Sequence, residues 1–273
     1  MLLHCGKFQL DLSRPLVMGI VNVTPDSFSD GGQHLQLEAA IAHAHRLIAE
    51  GADIIDIGGE STRPGAQPVS LQEELDRVLP VVEALRGITV PISIDTCKPQ
   101  VMCAAIVSGI QMVNDINALQ DAAAMSAVAA SDVAVCLMHK QGSPQTMQAQ
   151  PRYRDVVAEV SKFLRERIAA AAAAGIARER ITIDPGFGFG KTLEHNLDLL
   201  RHLGKLRELG VPVLAGLSRK SMLGALTGRE AGDRVAASVA AALIAVQQGA
   251  AIVRVHDVRE TVDALKVWLA VKE

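Results

Sequence analysis

Polar and charged residues recur along the chain, each directly after a short apolar run. They are Asn22, Asp95, Asn114, Asp115, His139 and Asp184, then Ser218 with Arg219 and Lys220, and Arg254 with His256 and Asp257. Glu60, Thr62 and Arg63 follow the run DIIDIG in the segment GGESTRPGA. Carboxylates and an amide beside a fixed cation can read the hydrogen-bonding edge of a flat heterocycle, and Asp95, Asn114, Asp184 and Lys220 supply that set. Arg254 and His256 are two residues apart, so they share one side of an extended strand. With Asn22 and nearby helix N-termini they could hold an anion such as pyrophosphate and its metal. This reading divides the group into a heterocycle end and an anion end. Some members also have plainer explanations. Asp115 and Asp257 suit helix caps or salt bridges. His139 has no second ligand at metal spacing, which favours a structural role. Lys220 could also be a Schiff-base lysine, but such a residue is usually buried in a strand and Lys220 opens a helix.

The string DPGFGFGKT (184–192) resembles a phosphate loop without matching one. The P-loop needs four residues between its first glycine and the Gly-Lys pair, whereas Gly186 and Gly190 enclose only three. The dinucleotide pattern G-x-G-x-x-G also misses by one position. Some other constraint must account for the glycines.

The elements that carry these residues follow a regular beat. Short β-branched runs span 16–23, 53–58, 91–95, 111–115, 133–139, 181–184, 212–218 and 251–257. Segments of helical period follow them, centred on 36–50, 70–86, 98–108, 121–130, 154–174, 193–208, 233–248 and 258–271. Near-continuous apolar strands alternating with helices predict a parallel sheet covered by helices. Eight such units in about 250 residues predict one domain over 1–273, a (β/α)8 TIM barrel. The first dozen residues alternate as a short N-terminal β-hairpin would. Gly51, Gly87, Gly109, Gly175, Gly210 and Gly249 each stand between a helix and the next strand, where a left-handed residue ends the helix. The long loops, 22–36, 58–69 and 139–153, all leave the ends of strands, on the face where a barrel builds its site. The polar residues named above meet on that rim.

Composition narrows the classes of partner. The chain has 273 residues, 49% of them hydrophobic, and a net charge of −3. No basic run interleaves with aromatics, so nucleic acid is not expected as a partner. The start MLLHCGKFQL lacks the pattern of a secretory signal. The longest apolar run, 236–246, is well short of the roughly 20 residues that span a bilayer. Cys5, Cys97, Cys103 and Cys136 form no C-x-x-C pair and read as reduced thiols. A cytoplasmic protein without membrane association is expected. The helix at 233–248 is apolar nearly all round, so it is either buried throughout or part of an interface.

Seven motifs carry a family resemblance. MGIVNVTPDSFSDGG (18–32), DIIDIGGESTRPGA (53–66), PISIDT (91–96), VNDI (113–116), DPGFGFGKT (184–192), GLSRKS (216–221) and IVRVHDV (252–258) resemble dihydropteroate synthase. The resemblance runs from about residue 4 to the C-terminus. MHKQG departs from it by carrying Lys140 where relatives often have another residue, without touching the chemistry. The resemblance implies condensation of 6-hydroxymethyl-7,8-dihydropterin pyrophosphate with p-aminobenzoate, releasing pyrophosphate and giving the folate precursor 7,8-dihydropteroate. It assigns the pterin to Asp95, Asn114, Asp184 and Lys220, with Asp184 accepting from a ring N–H and the exocyclic amine together. It assigns the diphosphate to Asn22, Thr62, Arg254 and His256, with Asn22 also the ligand of Mg²⁺. Phe28, Arg63, Pro64, Phe189 and Ser221 would surround p-aminobenzoate, the moiety that sulfonamides resemble. Asp95, Lys220, Arg254 and His256 would be the residues closest to the chemistry. The resemblance further implies a homodimer. Two other readings remain open: a pterin barrel for methyl transfer to a corrinoid, and a catalytically silent pterin-binding module.

Overall fold

The computed structural model describes residues 1–24, 33–61, 66–142 and 146–272. An antiparallel hairpin of β1 (Leu2–Cys5) and β2 (Phe8–Asp11) opens the chain. The repeating units are β3 (Leu16–Asn22) with α1 (Gln33–Ala49), β4 (Ile54–Gly58) with α2 (Leu71–Ala84), and β5 (Ile92–Asp95) with α3 (Pro99–Ser108). Next come β6 (Met112–Asp115) with α4 (Ala122–Ala129), β7 (Ala134–Met138) with α5 (Val156–Ala173), and β8 (Ile181–Asp184) with α6 (Leu193–Arg201). The last are β9 (Leu214–Ala215) with α7 (Ser221–Thr227) and α8 (Val235–Gln247), then β10 (Ile252–Val255) with α9 (Val258–Lys272). The main sheet runs in the order β8-β7-β6-β5-β4-β3-β10-β9, with parallel pairing throughout. A parallel bridge between Ile183 and Val213 joins its two edges, completing the expected barrel.

The boundaries differ from expectation in three places. The ladder of the seventh barrel strand covers Leu214–Ala215, with the single bridge at Val213 beside it, rather than 212–218, and the chain beyond turns through Arg219 at φ 58°. The helix expected over 193–208 ends at Arg201, and Leu203–Leu209 continues as a 3₁₀ helix. The short α7 was not foreseen among the eight units, and it ends at Gly228 in the left-handed conformation. The six helix-ending glycines all take the positive φ expected of them.

Alternation along the strands explains how the core and the site coexist. Outward residues such as Val17, Ile55, Ile94, Val113, Val135, Ile183 and Val253 pack against the helices. Inward residues near the hairpin end are apolar: Leu16, Met18, Ile54, Met112, Ala134, Leu214 and Ile252, closed off by Leu3 and Cys5. Further toward the strand ends the inward positions turn polar, at Asp56, Ser93, Asp95, Asn114, Thr182, Asp184 and Arg254. The barrel thus has an apolar floor and a polar upper chamber.

Asp115 points the other way, into the helix layer. Its carboxylate accepts from Asn117 N (2.8 Å) and Leu119 N (2.7 Å). Ala118 and Leu119 sit at φ 52° and 51°, and Arg167 holds both their carbonyls, at 2.8 and 2.6 Å. Asp115 thus caps a turn rather than the helix expected of it, and Asp121 caps α4. Burial pushes its carboxyl up to about 6, against the pull of the two N–H bonds. Asp115→Ala leaves both amides without their acceptor beside a strained turn, and should cost about 1–3 kcal/mol of stability. Urea unfolding checks this, and a midpoint equal to wild type would contradict it.

Candidate active site

Arg254 enters the polar chamber from β10 and meets two acids. Its Nε donates to Asp56 Oδ2 (2.6 Å) and an Nη donates to Asp95 Oδ2 (2.8 Å). Asn114 Nδ2 reaches the same Asp56 oxygen at 3.1 Å. Asp56 Oδ1, Asp95 Oδ1 and Ser93 Oγ are buried with no hydrogen-bond partner among the described residues. Buried acceptors without donors are uncommon and point to a ligand that brings donors. Gly216, just past β9, borders this space. A Cβ there would stand 3.8 Å from Asp184 Oδ2 and 4.0 Å from Arg254 Cβ.

Charges in this chamber are shifted in a consistent way. Burial pushes Asp95 up to about 7 against the pull of Arg254, and the charge of Asp56 adds to the rise. Asp184 is likewise raised by burial, opposed by the Gly186 N–H and by Lys220, Lys191 and Arg254. Burial lowers Lys220 to about 8, with Asp184 acting in the opposite sense. Burial also works against the charge on Arg254, but Asp56 and Asp95 outweigh it and hold the guanidinium above its usual range. The chamber is a desolvated set of acids whose charge the Arg254 guanidinium and Lys220 offset.

The glycine string now has its explanation. Gly186 and Gly190 adopt φ of 70° and 62°. Their backbone packs so closely on the chain leaving β7 that a Cβ would lie 1.9 Å from His139 O and 2.4 Å from Gln141 O. The loop has no ladder partner, so side chains satisfy its carbonyls one after another. Gly186 O accepts from Lys191 Nζ (2.9 Å), Phe187 O from Lys220 Nζ, and Gly188 O from Gln148 Nε2. Phe189 O accepts from Lys191 Nζ (3.0 Å), Gly190 O from the Tyr153 hydroxyl (2.9 Å), and Lys191 O from Asn196 Nδ2 (3.4 Å). At the start of the loop Gly186 N donates to Asp184 Oδ1 (2.6 Å), fixing that carboxylate. Lys220 Nζ lies 4.3 Å over the Phe189 ring.

Lys220 and Ser221 are set by the turn before α7. Arg219 at φ 58° is restrained by Asp257, which its guanidinium pairs through Nε (3.1 Å) and Nη2, and by Ser238 Oγ, which accepts from its N–H at 2.9 Å. Arg234 holds the Arg219 carbonyl at 2.9 Å. Asp257 is therefore a salt-bridge partner, and Lys220 precedes a helix rather than lying in a strand. Ser218 Oγ accepts from His256 N (3.2 Å) and meets His256 Nδ1 at 3.0 Å, which orients the imidazole. Below the exit of β4, Lys98 pairs with Glu60 and the buried Glu74, Thr96 Oγ1 donates to Glu74 at 2.6 Å, and Arg77 holds Gly59 O at 2.7 Å. Asn22 ends β3 in register with Gly58, which in turn pairs with Asp95.

The strand ends thus bring Asn22, Asp95, Asn114, Asp184, Lys220, Arg254 and His256 to one rim, with Phe189 and Ser221 beside it. Phe28, Thr62, Arg63 and Pro64 lie outside the described residues. Two expectations need revision. Arg254 does not belong to an anion end alone, since its guanidinium binds the acid assigned to the heterocycle. Asp56 was not anticipated. It lies in mid-strand, and only its inward register within DIIDIG, in phase with Ile54, marks it. His139 is structural: its ring packs edge-on to Phe163 with centroids 5.0 Å apart, and Nδ1 lies 3.0 Å from Lys191 Nζ.

Comparisons with known proteins give the family and agree with the fold. The profile of the family described as "Pterin binding enzyme" matches residues 18–256. A dihydropteroate synthase of Neisseria meningitidis serogroup C is 55% identical over 272 residues, covering 98% of this chain and 96% of the relative. A solved Xanthomonas albilineans dihydropteroate synthase with 4-aminobenzoic acid is 58% identical with a TM-score of 0.93, covering 99% of this chain and 98% of its own. Another structure from that organism, in complex with 7,8-dihydropteroate, is 55% identical with a TM-score of 0.91, covering 100% of this chain and 99% of its own.

The geometry makes a testable statement about charge. Asp56 raises Asp95 by repulsion and competes with it for Arg254. Asp56→Asn should therefore lower the titration of the Asp95 carboxyl, which burial and the charge of Asp56 raise in the wild type. Carbon-13 NMR of the side-chain carboxyls, with Asp95→Asn for assignment, measures this. An unmoved midpoint would mean that the two acids do not share the guanidinium.

Proposed function

The chain belongs to the dihydropteroate synthase family within the pterin binding enzymes, and on that premise we propose that it joins 6-hydroxymethyl-7,8-dihydropterin pyrophosphate to p-aminobenzoate, making 7,8-dihydropteroate for folate synthesis. The observation that carries this reading is the pair of buried acid oxygens, Asp95 Oδ1 and Asp56 Oδ1, that have no partner among the described residues, in a chamber to which Asp184 also belongs. A pterin edge presents a ring N–H and an amine side by side, the donors such acceptors lack. Asn114 completes the edge, and a second N–H of Lys220 reaches the ring carbonyl.

The diphosphate would lie toward Asn22, His256 and the outer side of Arg254, with Thr62 on the loop beyond Gly58. Among the described residues no group of three or more His, Cys, Asp or Glu could hold a metal. A lone amide oxygen at Asn22 suits Mg²⁺ that keeps its waters and is bound mainly by the substrate's phosphate oxygens. When bound, it supplies positive charge to the departing pyrophosphate.

In the reaction the C–O bond of the pterin methylene breaks, and its electron pair leaves with pyrophosphate. A C–N bond forms to the arylamine, which gives up one proton. Arg254 and His256 favour the leaving anion. Asp95 and Asp184, ionised and bound to the ring, favour a pterin that carries the developing positive charge. The amine is neutral at pH 7, so positioning is the main demand on the second site. Phe189 and Ser221 would border that position, and the family resemblance adds Phe28, Arg63 and Pro64, which lie outside the described residues.

The same reading includes a homodimer. Ser238, Ala241, Ala242, Ala245 and Val246 of α8 are buried, while Ala240 and Ile244 on its outer face are exposed. Such an apolar outer face suits a second copy. No described helix is long and apolar enough to cross a membrane, and a cytoplasmic location fits the charged substrate.

Incubating the protein with the pterin pyrophosphate, Mg²⁺ and p-aminobenzoate should yield dihydropteroate, and no product would refute the assignment. The loops that complete the benzoate side contain Gly31, Gly32, Gly58, Gly59 and Gly65, so ordering them costs chain entropy. Titration calorimetry should therefore show p-aminobenzoate binding more tightly with Mg²⁺-pyrophosphate present, by about 1–3 kcal/mol of coupling. Equal affinity in both titrations would mean a preformed pocket.

A further inference from the structure

Lys191 closes the string that first suggested a phosphate loop, yet its side chain turns inward and is only 3% exposed. Its ammonium has three N–H donors and meets three acceptors: Gly186 O at 2.9 Å, Phe189 O at 3.0 Å and His139 Nδ1 at 3.0 Å. His139 can accept because it is neutral, its pKa pushed down to about 3 by burial and by the charge of Lys191. No carboxylate pairs directly with Lys191. Burial lowers the Lys191 ammonium to about 7, against the pull of Asp184, so a charge here is costly and its three hydrogen bonds point to a structural role.

Its position shows what that is. Gly186 and Phe189 are the two ends of the tight turn that carries the Phe189 ring, and Phe189 N donates back to Gly186 O at 3.1 Å. Gly186 N fixes Asp184, and Phe187 O anchors Lys220. The loop therefore stands between the pterin acid and the benzoate wall. Its glycines have left-handed φ and offer no side chains to stiffen it. Without the ammonium, Phe189 O would lose its only hydrogen bond among those described. Gly186 O would keep the Phe189 N–H, and Phe187, Gly188 and Gly190 would remain tied through Lys220, Gln148 and Tyr153.

We infer that Lys191 is a positioning residue for the second substrate: its ammonium ties the Gly186 and Phe189 carbonyls and so holds the Phe189 ring against the aromatic ring of p-aminobenzoate. Asp184 has its own N–H from Gly186 and further cations nearby, so the pterin side depends on the clamp less. The inference rests on the proposed function and refines one wall of its site.

The test is steady-state kinetics of Lys191→Met, varying each substrate in turn, beside wild type. Wild-type turnover to dihydropteroate checks the proposed function separately from the clamp. The variant should raise KM for p-aminobenzoate on the order of 10-fold, a usual penalty for losing a hydrogen bond to a charged group. KM for the pterin pyrophosphate should change less than about threefold. A lower melting temperature with both KM values unchanged, or both raised equally, would overturn the inference by leaving Lys191 purely structural. Should the methionine variant not fold, Lys191→Gln, which keeps two N–H donors, carries the same comparison with a smaller rise.

Discussion

Arg254 carries a guanidinium into the barrel interior, where Asp56 and Asp95 hold it. Breaking such a buried pair by removing one partner typically costs about 3–5 kcal/mol, because a charge is left uncompensated. The cluster is also geometrically specific, since its members come from β4, β5 and β10, with Asn114 of β6 on the same Asp56 oxygen. It can form only when β10 has joined β3 beside β4, β5 and β6. The same contacts that compensate the cation leave one oxygen of each acid without a partner among the described residues, and these are the acceptors that the proposed pterin would supply with donors. Stability and recognition are thus two uses of one arrangement, made possible by the step from apolar floor to polar chamber along the strands.

Around this cluster the rim is held by side chains bonding to backbone rather than by regular structure. Donors from Lys191, Lys220, Gln148, Tyr153 and Asn196 take the carbonyls of the β8–α6 loop in succession. The turn before α7 is held by Asp257, Ser238 and Arg234. The chain leaving β4 rests on Lys98, Glu60 and Glu74. Lys220 belongs to the chamber as well, so it serves the loop and the site together. Loops fastened in this way hold donors and acceptors in place before a ligand arrives, the condition for electrostatic preorganisation.

Much of this was legible in the sequence, for identifiable reasons. Buried strands alternating with helices produce a change of period that survives without tertiary information, so the barrel and its hairpin could be read. Polar residues at strand ends stand out against apolar runs, which exposed Asp95, Asn114, Asp184, Lys220 and Arg254. Asp56 escaped because it lies inside its strand, where only the register that turns it inward separates it from a surface acid. Lys191 reads locally as a solvent-facing loop lysine, and its burial follows from a left-handed turn packed on His139 and Gln141. The two-residue extent of β9 and the seven-residue α7 are products of barrel closure and of the Arg219 turn. Neither is long enough to leave a periodic signal.

The central claim is that desolvated, charge-sharing acids await the donors of a pterin. With Asp95 raised to about 7 when the chamber is empty, ring N–H donors that require its ionised form must lower that pKa and release protons. Calorimetric titration of 6-hydroxymethylpterin near pH 6.5, repeated in buffers of different ionisation enthalpy, counts them directly. The account predicts release of a substantial fraction of a proton per pterin bound, and affinity that tightens as pH rises toward 7. Binding with no proton release and no pH dependence would contradict it.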